Sequence, residues 1–164
     1  RPDVCLRTTL RAAESAQFPC DRIIFEITEG ERIDDVPHVR EIVRYYQSRG
    51  FLTAIDDFGA GYSGLTLLAE LDTDFIKLDM ALLRGIDAHR GRQAIVKGVI
   101  AFCTEMETTV IAEGVETYDE FRVLQDMGVE LFQGYYFARP AFRSLAPIAP
   151  QAFSRRPQET PLSG

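Results

Sequence analysis

Acids, one lysine and one amide sit at a repeated place in this chain. Glu26 and Glu29, the pair Asp56-Asp57, Lys77 and Asp79, Glu113 and Glu116, and Gln133 all fall at or just after short apolar runs that read as strands. Carboxylates brought together repel unless cations neutralise them. A cluster of oxygen donors without His or Cys suits hard cations such as Mg²⁺ or Mn²⁺. An adjacent Asp56-Asp57 pair offers ligands to two ions, an arrangement that activates water and clamps a phosphoryl oxygen. Each acid taken singly has a plainer role as a helix N-cap or a solvated loop residue, and Asp79 before a helix fits a cap well. Glu26 resists that reading, because an acid inside an apolar strand is rarely buried unpaired. Spacing alone leaves the metal site and the plainer roles level. The loop Phe58-Gly-Ala-Gly-Tyr-Ser63 is open in the same way. It is either a turn that needs positive φ or a phosphate-facing loop beside the aspartates.

The elements that must position these residues alternate. Arg1–Phe18 reads as a helix, Arg22–Thr28 as a strand, Val36–Arg49 as a helix, and Phe51–Ile55 as a strand running into Asp56-Asp57. Leu65–Leu71 predicts a short helix, Phe75–Leu78 a third strand, and Arg92–Met106 a long helix with Ile95, Val99, Ile100 and Cys103 on its apolar stripe. Thr109–Ala112 predicts a fourth strand. Thr117 with Glu120 makes a capping box for a helix through Met127, and Leu131–Phe137 predicts a fifth strand. Such alternation means α/β architecture with a parallel sheet, either doubly wound or part of a (β/α)8 barrel. In both, the C-terminal strand ends converge on one rim, where active sites are built. A barrel needs about 250 residues, so 164 residues hold about five of its units.

Composition narrows the classes. Formal charge is −7 and 46% of residues are apolar, which suits a packed core and argues against an extended DNA-binding surface. No apolar run approaches a membrane span, so no membrane contact is expected from this segment. Cys5, Cys20 and Cys103 lack pairing motifs and read as reduced thiols of a cytoplasmic protein. Arg84, Arg90 and Arg92 read as a solvated basic cluster. The chain opens on Arg1 inside a helical pattern, as a piece of a longer protein would, and the polar, Pro-rich residues 150–164 read as a disordered tail.

Five motifs together carry a family resemblance: Glu26-Ile-Thr-Glu29, Asp56-Asp-Phe-Gly-Ala-Gly-Tyr-Ser63, Lys77-Leu-Asp79, Ala112-Glu-Gly-Val-Glu116 and Gln133-Gly-Tyr-Tyr-Phe137. In order and spacing they resemble the EAL-domain cyclic di-GMP phosphodiesterases. The resemblance implies a TIM-like (β/α)8 barrel of the EAL type, with residues 1–149 as its C-terminal portion and these strands as about its last five. It implies metal ligation by Glu26, Asp56, Asp57 and Glu113 in a two-ion Mg²⁺ or Mn²⁺ site. Lys77 would hold and help deprotonate the attacking water, and Glu116 would orient the metal–water network. Gln133 and Tyr62 would contact substrate, and Glu29 would anchor the loop Phe58–Ser63.

The implied function is hydrolysis of cyclic di-GMP to linear pGpG in the bacterial cytoplasm, in a homodimer coupled to an upstream sensor or regulatory domain. The alternatives are a non-catalytic cyclic di-GMP receptor, a protein-interaction module, or an inactive truncated barrel. The family's Glu-x-Leu strand and the Asn ligand of the next strand would precede Arg1. Gly64 stands where the family usually has a second Ser.

Overall fold

The computed structural model describes residues 2–28, 35–61, 64–148 and 150. Its elements run α1 (Pro2–Ala16), β1 (Ile24–Thr28), α2 (Val36–Ser48), β2 (Leu52–Phe58), α3 (Gly64–Glu70), β3 (Phe75–Leu78), α4 (Met80–Leu83), α5 (Arg90–Glu105), β4 (Thr109–Ala112), α6 (Tyr118–Asp126) and β5 (Leu131–Phe132). Short 3₁₀ turns occupy Cys20–Arg22 and Ile86–Ala88. The strands form one parallel sheet in the order β1-β2-β3-β4-β5. A doubly wound sheet reverses its strand order at a switch point. This sheet never does, so each β/α unit adds its strand beside the last, as in a barrel.

Register decides which residues share a face. Glu26 pairs with Ala54, Ala54 with Phe75, and Phe75 with Thr109. Side chains alternate along a strand, so Glu26, Asp56, Lys77 and Glu113 are carried toward one side of the sheet. The opposite side brings Ile55, Ile76, Leu78 and Ala112 onto the helices. There they pack with Leu67, Leu68, Leu71, Leu83, Ile86, Val96, Val99, Cys103 and Leu124 in one buried cluster. Polar chemistry and hydrophobic burial are thereby assigned to opposite faces of the same strands.

Three sequence expectations change. The apolar stripe of α5 is Val96, Val99, Ile100 and Cys103, an i, i+3, i+4, i+7 set. Ile95 lies off that face and is 55% exposed. The fifth strand stops at Phe132, so Gln133 lies just beyond it. Gly134 takes φ +156, and the Phe137 and Ala138 amides both donate back to its carbonyl, turning the chain away from the sheet. Lastly, β2 runs on past Asp56 and Asp57 to Phe58. The capping box is formed: Thr117 accepts from the Glu120 amide and Glu120 from the Thr117 amide. Glu29, Tyr62 and residues 151–164 lie outside the described residues.

Candidate active site

β3 delivers Lys77 into the middle of three carboxylates, each from a different strand or strand end. Its Nζ lies 2.7 Å from Glu26 Oε1, 2.8 Å from Asp56 Oδ1 and 3.0 Å from Glu113 Oε1. Glu113 is held beside β3 by its own amide, which donates to the Leu78 carbonyl at 3.0 Å. Burial alone would pull the pKa of Lys77 down. The close carboxylates of Asp56, Glu26 and Glu113 outweigh it, and the pKa of Lys77 is raised.

Asp57 reaches the same group by a backbone device. In a regular strand its side chain would point away from that of Asp56. Between Ile55 and Phe58, however, β2 advances three residues while β3 advances two, from Ile76 to Leu78. That extra residue is a bulge, and Asp57 sits at φ +56 within it. Asp tolerates the left-handed region better than most residues do. The bulge is closed by the Asp79 amide donating to the Phe58 carbonyl at 3.0 Å. As a result, oxygens of Asp56, Asp57 and Glu113 all lie within 4.8 Å of one another.

This donor set fits a hard divalent cation. Every donor is a carboxylate oxygen. Burial, followed by repulsion from Asp56 and Asp79, raises the pKa of Asp57. Burial also raises that of Glu113 against the opposing pull of Lys77. Asp56 Oδ1 is shielded from solvent and makes no hydrogen bond of acceptable geometry, its ion pair with Lys77 being its compensation. A buried carboxylate oxygen in that condition is one that a cation would satisfy.

The other expected residues make different contacts. The exposed Glu116 carboxylate is 2.7 Å from Arg84 Nη1. Arg84 is therefore paired rather than solvated, and its carbonyl accepts from the Arg92 guanidinium. Asp79 caps α4 through the Ala81 amide at 2.7 Å. Gln133 contributes its backbone: its amide donates to Ala112 and its carbonyl accepts from Val115. Gly134 allows this closeness, since a Cβ there would lie 2.1 Å from the Val115 carbonyl oxygen. Sequence reasoning missed the left-handed Asp57 and the Arg84–Glu116 pair. A doubled Asp before a Gly-rich loop was the available signal for the first.

An EAL domain family model matches residues 1–140. The blue light- and temperature-regulated antirepressor BluF of Escherichia coli K12 is 37% identical over 129 residues, covering 79% of this chain and 32% of BluF. The cyclic di-GMP phosphodiesterase PA2567 of Pseudomonas aeruginosa is 33% identical over 135 residues, covering 82% of this chain and 23% of PA2567. Among solved structures, a standalone versatile EAL protein from Vibrio cholerae O395, in its c-di-GMP bound form, superposes with a TM-score of 0.86 at 52% identity. That match covers 90% of this chain and 62% of the Vibrio chain. BlrP1 of Klebsiella pneumoniae, as a manganese/cy-diGMP complex, gives 0.79 at 41% identity over 85% of this chain and 36% of BlrP1. The chain thus spans a third or less of these two curated relatives. With the sheet order, the Lys77-centred acids and these likenesses together, the chain belongs to the EAL-domain family.

Proposed function

We propose that this chain forms the C-terminal part of a metal-dependent cyclic di-GMP phosphodiesterase that opens one phosphodiester to give linear pGpG. The observation that carries the reading is Lys77 bonded to Glu26, Asp56 and Glu113, with Asp57 turned into the same group by the bulge. Support comes from PA2567, a cyclic di-GMP phosphodiesterase by name, and from the manganese/cy-diGMP complex of BlrP1.

Glu26, Asp56, Asp57 and Glu113 would hold Mg²⁺ or Mn²⁺ ions. Such ions supply positive charge at the phosphoryl oxygens and lower the pKa of water. Water attacks phosphorus in line with the departing 3′ oxygen. Lys77, bonded to the same carboxylates, would hold the attacking water and help remove its proton as the bond to phosphorus forms. Glu116, Gln133 and Tyr62 would orient the nucleotide and its solvent, and Glu29 would anchor the loop that contains Tyr62. The acidic net charge is no obstacle, because bound cations would face the phosphate. The reading extends to a cytoplasmic homodimer under an upstream sensor domain. Among the described residues no helix is long and apolar enough to cross a membrane.

BluF, an antirepressor by name, favours a second reading in which the domain binds the nucleotide without cleaving it. Incubation of the full-length protein with cyclic di-GMP and Mg²⁺, followed by chromatography, separates the two. Accumulation of pGpG is the expected result. Retained binding with intact cyclic di-GMP would replace the enzyme by the receptor.

A further inference from the structure

Beyond the acids around Lys77, a second network ties the loop after β3 to the loop after β4. Arg84 closes α4, its amide donating to the Met80 carbonyl at 2.8 Å. Its own carbonyl accepts from the Arg92 guanidinium on α5. The next residue, Gly85, is left-handed at φ +66, and its amide donates to Glu120 Oε1 at 2.9 Å. Glu120 is only 3% exposed, and its other oxygen accepts from the Glu116 and Thr117 amides at 3.0 and 3.1 Å. One buried carboxylate therefore fixes the backbone on both sides of the gap. Across that gap Arg84 Nη1 meets Glu116 Oε2 at 2.7 Å.

Those two side chains are 38% and 41% exposed, and an ion pair so placed contributes little to stability. Yet the backbone on either side is pinned, which lowers the entropy cost of holding a long side chain in one geometry. Arg139, the other cation acting on Glu116, has its guanidinium 4.5 Å from the centre of the Tyr135 ring. Only Arg84 forms an ion pair with Glu116 among the described residues.

We propose that Arg84 is a positioning residue of the active site, holding the Glu116 carboxylate in place from a segment clamped by Glu120 and Arg92. The inference rests on the reading of Glu116 as part of the catalytic site. Arg84 acts through Glu116 and makes no demand on the substrate.

The test is a double-mutant cycle in the full-length protein, using Arg84→Met, Glu116→Gln and the pair together, with Arg84→Lys as the conservative variant. Arg84→Met should lower kcat about tenfold while KM for cyclic di-GMP stays within about twofold. Arg84→Lys should recover part of that loss. In the Glu116→Gln background, Arg84→Met should have no further effect. Additive losses, full activity of Arg84→Met, or a raised KM at unchanged kcat would each overturn the proposal. Thermal unfolding separates these outcomes from misfolding. If Arg84→Met does not fold, Arg84→Lys carries the cycle. Absence of turnover in the unaltered protein would instead overturn the phosphodiesterase reading. The same cycle is then read in cyclic di-GMP affinity, where loss of coupling between Arg84 and Glu116 overturns the positioning role alone.

Discussion

Lys77 places a positive charge on oxygens of Asp56 and Glu113, so a cation held there would compete with the ammonium. Lys77→Ala is therefore expected to lower turnover at least about 100-fold while Mn²⁺ affinity stays equal or tightens. Calorimetric titration beside the activity assay checks this, and full activity would remove Lys77 from the mechanism. The types and strand-end positions of these residues were legible in the sequence. Their convergence was not, because it depends on pairing across strands: Glu26 opposite Ala54 puts it two residues below Asp56, on the same face. Asp57 was half legible. Its identity advertised a ligand, but strand alternation would have turned it away, and only the φ of +56 brings it round. Asp57→Asn keeps a residue that tolerates this backbone. It should unfold near the temperature of the unaltered protein while weakening cation binding, whereas loss of the fold would show that the charge itself supports the bulge.

At the scale of elements, Glu120 joins helix capping to the site. Burial would raise its pKa, but hydrogen bonds from the Gly85, Glu116 and Thr117 amides and the charge of Arg84 lower it below the ordinary 4.5. A carboxylate with a depressed folded-state pKa stabilises the fold above its unfolded value and loses that contribution as pH falls through the folded one. Glu120→Ala should therefore cost about 2 kcal/mol at pH 7, leaving three amides without their acceptor. The difference in unfolding temperature between Glu120→Gln and the unaltered protein should narrow as pH drops below 4.5. A gap independent of pH would show that packing, not charge, makes the contribution. The capping box was readable from Thr117 and Glu120 because its partners are three residues apart. The bond from Gly85 was not, being 35 residues distant. The end of β5 was misjudged because the Gly134 turn packs against the Val115 backbone, a contact distant in sequence that the local run Leu131–Phe137 does not display. Gly134→Ala should cost more than about 1 kcal/mol, since its Cβ would meet the Val115 backbone.

As a whole, the molecule is an unclosed sheet among its described residues, with β1 paired only to β2 and β5 only to β4. Ile24 on the β1 edge is 38% exposed, and beyond β5 Phe142 and Leu145 stand 90% and 99% exposed. Open edges and bare apolar side chains invite association, so residues 1–164 expressed alone should elute larger than a monomer in size-exclusion chromatography. A stable monomer would mean that these surfaces need no cover. The alternation of strands and helices was enough to predict parallel α/β architecture. The choice of barrel over doubly wound sheet was not available from alternation, because only strand order distinguishes them.

The claim on which the rest depends is that the acids around Lys77 form a divalent-cation site. Mn²⁺ titration of the full-length protein and of its Asp56→Asn variant tests it most directly, since that change removes one charge at nearly constant shape. Saturable binding to the unaltered protein is expected, with at least about tenfold weaker binding to the variant and the fold of both intact. Equal affinity in the two proteins would contradict it and leave Lys77 and its carboxylates as a structural ion-pair network.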